Sequence, residues 1–137
     1  MSIPDLRREL SSIDLGDARL NRRAAHIMGR LQAAPSVSFP KVFKAPAALE
    51  AFYRFTSNDD VDHASVLAPH LRKSWARASA ADTTLVLHDT SLCSRSGAAE
   101  RVGLPRQGKK QGFYAHVALA VAEGEAPIVH GVVGLAV

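Results

Sequence analysis

The sequence predicts an α+β chain in which helices come first and antiparallel strands follow. In the first part, apolar residues recur three and four positions apart, which is typical of amphipathic helices. Later they form short unbroken runs separated by turns that contain Gly and Pro, which is typical of strands joined as hairpins. Of the 137 residues, 47% are apolar and 22% are charged. This is the composition of a folded chain with one modest core.

The first helix is predicted from Asp17 to Leu31. Asp17 is a good N-cap, and no proline interrupts the residues that follow it. One face of this helix is apolar, formed by Leu20, Ala24, Ile27, Met28 and Leu31. The opposite side is basic and carries Arg19, Arg22, Arg23, His26 and Arg30. From the pattern alone, this basic side is either a solvated surface or a binding surface for an acidic partner.

Two further helices are predicted after the loop AAPSVSFPKVFKAP (33–46), which is marked by Pro35 and Pro40 and carries Lys41 and Lys44. Pro46 fits the first turn of a helix that ends near Thr56. We expect its apolar residues to be core and Arg54 to face outward; the apolar residues are Leu49, Phe52, Tyr53 and Phe55.

The third helix is predicted from Asp62 to about Ala78. Pro69 lies inside it and is expected to kink it or to divide it into two shorter helices, because proline lacks the amide proton of a helical hydrogen bond.

Three strands are predicted in the remainder. Residues 83–88 (TTLVLH) suit a buried strand because they are apolar and β-branched, and residues 94–112 are predicted to form a loop. Residues 113–122 and 128–137 are joined by a short turn and predict an antiparallel hairpin. The chain stops inside the last apolar run, so we expect a partner or further chain to cover this sheet.

Charge and cysteine content limit the classes of partner and the cellular locations that we expect for this chain. The net charge is +4 and the pI is near 9.6, which favours an acidic partner. The basic residues lie mainly in two blocks, the helical part and the predicted loop at 94–112. No apolar run reaches the roughly 18 residues of a membrane helix, and no secretory signal is evident. The single cysteine, Cys93, excludes an intrachain disulfide and favours a cytoplasmic location.

Asp89 is the notable acidic residue, because it directly follows the first predicted strand. A carboxylate there suits a divalent metal ion, whereas the alternative is a cap of the turn that leaves the strand. The six histidines show no zinc-binding spacing, and Cys93 has no evident base partner.

Four segments, taken in order, resemble the insertion-sequence-four family of bacterial DDE transposases, the branch that includes the transposon-five cut-and-paste enzyme. They are DLGDARLNRRAAHIMGRL (14–31), PAALEAFYRFTSNDDV (46–61), LVLHDTS (85–91) and QGFYAHVALAV (111–121). The resemblance covers nearly all of this chain and about the first third of a full-length family member.

This resemblance implies two domains. Residues 1–80 would be a helical domain that binds the double-stranded terminal inverted repeats of a transposon. Residues 81–137 would be the first three antiparallel strands of an incomplete RNase-H-like catalytic domain. Arg19 and Arg23 match basic positions of the family's first basic helix, and other cations lie on the same helix or in similar regions. The DNA-binding candidates are Arg19, Arg22, Arg23, Arg30, Lys41, Lys44 and Arg54.

In the strand region, Asp89 matches the first aspartate of the family's DDE triad, which uses Mg²⁺ for strand cleavage and transfer. The second aspartate and the glutamate have no counterpart among these residues, and Glu123 and Glu125 match neither position. Two-metal catalysis needs more than one carboxylate. The resemblance therefore implies a catalytically incomplete fragment that binds no Mg²⁺ stably on its own.

Three roles remain open at this point: a truncated or split transposase, a stand-alone regulator that occupies the repeats, and an inert remnant of a disrupted gene. Double-stranded DNA is the expected partner of the first two, together with full-length transposase or a second copy of the chain. No membrane partner is expected, and the location implied is the bacterial cytoplasm, at the nucleoid.

Overall fold

A computed structural model describes residues 6–95, 106–107 and 110–137. The chain forms two compact units, unit 1 (Met1–His70) and unit 2 (Leu71–Val137). The described helices are α1 (Leu6–Glu9), α2 (Ala18–Ala33), α3 (Phe39–Val42), α4 (Pro46–Thr56) and α5 (His63–Ser79). The described strands are β1 (Thr84–Arg95), β2 (Arg106–Gln107), β3 (Lys110–Ala122) and β4 (Ile128–Ala136). The predicted α+β order, with helices before antiparallel strands, is confirmed.

The start of α2 follows from the residues just before it. Asp17 is the N-cap, and its Oδ1 accepts a hydrogen bond from the Arg19 amide at 2.6 Å. Gly16 precedes it with a φ of 75°, and its amide donates to Asp14 Oδ1 at 2.9 Å. The Leu15 amide donates to Asn21 Oδ1 at 2.8 Å, so the entering chain is fastened to the second turn of the helix. Leu15 itself is buried in the core.

A substitution at Gly16 tests how much the chain segment that leads into α2 contributes to stability. A Cβ at position 16 would meet no heavy atom within 4 Å, so the cost of Gly16→Ala is that of its left-handed backbone alone. We expect the free energy of unfolding to fall by about 1–2 kcal/mol. Denaturant unfolding measures this value, with Gly124→Ala as a turn-glycine control outside the left-handed region. An equal loss in both variants would contradict the backbone explanation.

The core of unit 1 joins α2, α4 and the segment between them. Phe43 stacks on Phe52 with ring centroids 4.7 Å apart, and both rings are buried. The cluster consists of Ile13, Leu15, Ala24, Ile27, Val42, Phe43, Phe52 and Phe55. Burial of Phe52 and Phe55 confirms the prediction for α4, whereas the prediction for Tyr53 is wrong because its side chain is 48% exposed. Tyr53 directly follows Phe52 on the helix and therefore points away from the face that Phe52 buries.

The segment between the first two predicted helices is not simply a loop. It contains α3, which begins after Ser38 with a proline in its first turn. This short helix turns Val42 and Phe43 into the core. The alternative that Pro69 divides the third helix is also wrong: α5 is continuous through Pro69, which is fully buried. Packing of the buried ring offsets the missing helical hydrogen bond.

In unit 2, β3 is the central strand of an antiparallel sheet and pairs with all three others. β1 continues to Arg95, well beyond the predicted end at His88. Each of its residues is paired with β3, and Asp89 lies opposite Val117. The prediction that Asp89 ends the strand, and the alternative that it caps a turn, are therefore wrong. The ladder continues because residues 113–117 of β3 pair with residues 89–93, and the earlier start of β3 adds partners for Ser94 and Arg95.

The part of α5 that belongs to unit 2 packs on one face of this sheet. Ala78 shares a buried cluster with Ala118, Ala120 and Val133. Trp75 Nε1 donates to the Val133 carbonyl at 3.0 Å, and Arg77 Nε donates to the His130 carbonyl at 2.8 Å. These contacts fix the helix against β4.

The prediction of a buried first strand is wrong, since Leu85 and Leu87 are 53% exposed and Val86 is 42% exposed. Leu85 and Leu87 share one face of the strand. They alternate with Thr84 and Val86 and so lie on the face opposite the one that bears Ala120, the pairing partner of Val86. Within the described part of unit 2, α5 covers only that second face, through the cluster of Ala78, Ala118 and Ala120.

Candidate nucleic-acid interface

A cleft between α2 and α4 concentrates the basic side chains of unit 1. Its volume is about 240 Å³. Three of its lining residues are arginines, Arg19 and Arg23 from α2 and Arg54 from α4, and the others are Leu20, Ala51, Phe55 and Asn58. We call this site the arginine cleft.

The cleft follows from the helical period. Arg19 and Arg23 are four residues apart, so they lie on the same side of α2, one turn after the other. Ala24 and Ile27 bury the apolar side of the helix, which leaves the arginines at the surface. Arg54 precedes the buried Phe55 on α4, and Asn58 follows that helix. Packing of the two helices therefore brings cations that are 31 or more positions apart in sequence into one depression.

Arg19 is already engaged by the N-cap of its own helix. Its Nη2 lies 2.8 Å from Asp17 Oδ2, and its side chain is 83% exposed. The hydrogen bonds from the Arg19 side chain and from its amide lower the pKa of Asp17 to about 2. The same pairing raises the pKa of Arg19. An anion that binds Arg19 therefore competes with the carboxylate of Asp17.

Arg23 and Arg54 differ from Arg19 in this respect. Both are exposed, and no acidic side chain of residues 6–95, 106–107 or 110–137 forms an ion pair with either of them. Their guanidinium groups keep their donors for a ligand, and the planar group suits the oxygen atoms of a phosphate. These two residues are the strongest anion-binding candidates of the cleft.

The other predicted DNA-binding residues lie outside the cleft lining. Arg22 is exposed on α2, while Lys41 and Lys44 are exposed on α3 and just after it. Arg30 is partly buried, with its guanidinium carbon 5.9 Å from the centroid of the Phe43 ring, so it also serves the packing of unit 1. The structure thus brings together three of the seven candidates and places the remaining four elsewhere on unit 1.

The sequence analysis does not predict a role at the cleft for two residues, Asp17 and Asn58. Asp17 was identified as an N-cap but not as the partner of Arg19, although an arginine two positions after an aspartate N-cap is a usable signal. Asn58 lines the cleft. Nothing in the sequence distinguishes it from an ordinary turn residue.

Asp89 stands alone as an acidic residue on β1. Its carboxylate is exposed, and Oδ2 accepts a hydrogen bond from Ser91 Oγ at 3.0 Å. Within the described ranges, no group of three or more His, Cys, Asp or Glu side chains is arranged to bind a metal ion. Asp89 thus supplies one carboxylate, whereas the two-metal centre that the resemblance suggests uses more than one.

Among residues 6–95, 106–107 and 110–137, no helix combines the length and the apolar character that a membrane span needs.

Comparison with known families agrees with the geometry of unit 1. A family model described as transposase DNA-binding matches residues 6–61, which include α1 to α4 and every lining residue of the arginine cleft. The match confirms that this part of the chain is similar to the N-terminal domain of transposases and supports a transposase-related role in DNA binding. No curated protein matches the chain.

Proposed function

We propose that unit 1 binds the terminal inverted-repeat DNA of a transposable element, and that the chain acts as a DNA-binding fragment of a DDE transposase of the insertion-sequence-four family. The observation that carries this proposal is the arginine cleft, which lies entirely within the residues that match transposase DNA-binding domains. Three guanidinium groups around one depression suit the phosphate backbone of duplex DNA, where most of the binding affinity arises.

Unit 1 carries further exposed cations outside the cleft. Arg22, Lys41 and Lys44 are exposed, so they remain available for additional phosphates. Phosphate contacts fix the position of a protein on DNA, while groups that reach base edges read the sequence. Asn58 lines the cleft, and although its Oδ1 accepts from the Asp60 amide at 2.8 Å, its side-chain NH₂ donors make it a candidate for such a contact.

Binding to the repeats that flank the gene tests the proposal. Fluorescence anisotropy would compare a labelled repeat duplex with a scrambled duplex of equal length, each at several salt concentrations. We expect tighter binding to the repeat, and an affinity that falls linearly with salt on logarithmic axes by about 0.9 per phosphate contact. Equal affinity for both duplexes would contradict repeat recognition, and a salt-independent affinity would contradict phosphate binding.

Asp17→Asn is expected to strengthen DNA binding. Asparagine retains an oxygen that can accept the N-cap hydrogen bond from the Arg19 amide, but it removes the charge paired with the Arg19 guanidinium. The affinity should rise by about 2- to 10-fold at low salt because a phosphate no longer competes with the carboxylate. Asp82→Asn, an exposed aspartate in unit 2, changes the net charge equally and is the matched control. An equal gain in both variants would point to net charge alone.

We also propose that these residues do not cleave DNA by themselves. The resemblance supplies Asp89 as a single acid of the triad, and two-metal catalysis needs more than one carboxylate. In a cleavage assay with Mg²⁺ and the repeat duplex, we expect binding without strand cleavage. Robust cleavage that disappears in Asp89→Ala would contradict this part of the proposal while leaving DNA binding intact.

Binding without cleavage favours a regulatory role over an inert remnant. A chain that occupies the repeats excludes a complete transposase from the same DNA. Adding excess chain to a transposition assay with the complete enzyme should lower the yield, whereas a variant that lacks the cations of the arginine cleft should not. Equal inhibition by both proteins would indicate contact with the enzyme instead of the repeats.

A further inference from the structure

Two histidines form a close pair on the sheet of unit 2, far along the chain from the residues assigned to DNA. His88 lies on β1 and His116 on β3, where His116 is directly paired with Thr90. His88 and Thr90 are two residues apart, so all three side chains lie on the same face of the sheet. His88 Nδ1 lies 3.0 Å from His116 Nε2, and the rings are stacked with an interplanar angle of 26°.

The separation of these two nitrogens is that of neighbouring ligands on a metal ion. Imidazole nitrogens bind Zn²⁺ at about 2.0–2.1 Å, which places two adjacent ligands roughly 2.9–3.4 Å apart. The spacing of the two nitrogens therefore already matches that of two ligands on one ion. His88 is exposed and His116 is only partly buried, so an aqueous ion can reach them.

Thr90 fixes the orientation of the second ring. Its Oγ1 lies 2.7 Å from His116 Nδ1. When Nδ1–H donates to this oxygen, the lone pair of His116 is on Nε2, the atom that faces His88. A hydrogen bond of this kind to the second ring nitrogen is the usual support of a metal-binding histidine.

We infer that His88 and His116 form a binding site for a late first-row divalent ion, with Cu²⁺ bound more tightly than Ni²⁺ or Zn²⁺. The order follows from the ligand type, since imidazole suits these ions and their affinities rise toward copper. No third His, Cys, Asp or Glu of the described residues joins the pair, so water molecules complete the coordination sphere. Mg²⁺, which prefers oxygen ligands, is not expected to compete. The inference is independent of the proposed role in DNA binding.

Copper titration of the full chain tests this inference. We expect one Cu²⁺ per chain at this site, with an electron paramagnetic resonance spectrum that shows coupling to two equatorial nitrogens. His88→Gln and His116→Gln should each weaken binding by at least about 10-fold, and Thr90→Val by about 10-fold through loss of ring orientation. His26→Gln and His63→Gln, two exposed histidines of unit 1, are the matched controls and should leave the affinity unchanged.

A readout without any substitution keeps the test decisive if a variant fails to fold. Cu²⁺ broadens nearby amide signals in nuclear magnetic resonance spectra, and we expect selective broadening at Thr90 and Ala118, which are the neighbours of the pair in the ladder. Broadening confined to His26, His63 or the N-terminus would overturn the inference. So would an affinity that both glutamine variants retain, or a spectrum with a single nitrogen ligand.

Discussion

Replacing Arg23 and Arg54 together by glutamine is expected to weaken duplex binding by about 10- to 100-fold near 0.1 M salt, because each loss removes a charged hydrogen bond to phosphate. Both side chains line the arginine cleft, and no described acidic side chain pairs with either one. The slope of log affinity against log salt should become shallower by about two units, one for each lost phosphate contact.

The matched control is Arg8→Gln with Arg72→Gln, which removes two exposed cations that lie outside the cleft. Its net charge equals that of the test variant, so any shared loss measures long-range electrostatics only. Thermal unfolding of both proteins verifies that the fold is intact. If the control lost as much affinity and slope as the cleft variant, the arginine cleft would not be the place where DNA is held.

Arg19→Gln alone should have a smaller effect than Arg23→Gln. Arg19 exchanges one anionic partner for another when it binds phosphate, since Asp17 holds it at 2.8 Å in the free protein. The net gain from that exchange is small because an exposed ion pair in water is itself weak. A comparison of the two single variants in the same anisotropy assay measures this difference. A larger loss for Arg19→Gln would indicate that Asp17 orients the guanidinium for DNA instead of competing with it.

The helices of unit 1 could be predicted because local signals agree there. Asp17 is both a good N-cap and the start of the apolar period, and Pro46 marks the first turn of α4. In contrast, α3 lies between two prolines in a segment that is too short to show a period. Its key residue, Phe43, is buried against the Phe52 ring of α4, and the local sequence does not indicate that contact.

The sequence predicts too early an end for β1, the strand that carries Asp89, for a similar reason. The residues after His88 are polar, and polarity usually marks the end of a buried strand. The structure pairs them with residues 111–117 of β3, so the ladder is set by partners 16 to 28 positions away. Side chains such as Asp89 and Ser91 are compatible with a strand because this part of β1 is exposed.

For the candidate site too, the local sequence pattern predicts which residues are exposed, whereas packing between distant elements decides which of them come together. The sequence predicts the seven cations of unit 1 as DNA-binding candidates, and the helical period places those of α2 away from the apolar face. It could not show that only Arg19, Arg23 and Arg54 share one cleft, because that depends on how α2 packs on α4. Arg30 illustrates the limit: the period places it with the other arginines, while the structure places its charge over the Phe43 ring.

Phe43→Ala is expected to cost about 3–5 kcal/mol in the free energy of unfolding, the range for truncating a buried aromatic ring. Phe43 is 2% exposed, stacks on Phe52 with centroids 4.7 Å apart, and receives Arg30 on its ring. Truncation therefore opens a cavity between α3 and α4 and releases a cation. A loss of this size is a large part of the stability of a small unit, so the melting temperature should fall by more than about 10 °C.

Phe39→Ala is the matched control for that experiment. Its ring also lies 4.7 Å from Phe52, but it is 46% exposed, so less apolar area leaves water when the unit folds. We expect a loss of about 1–2 kcal/mol at this position. If the two variants lost equal stability, contact with Phe52 and not burial would explain the role of both rings. A large difference, together with loss of repeat binding in Phe43→Ala only, would show that α3 anchors the helices on which the arginine cleft depends.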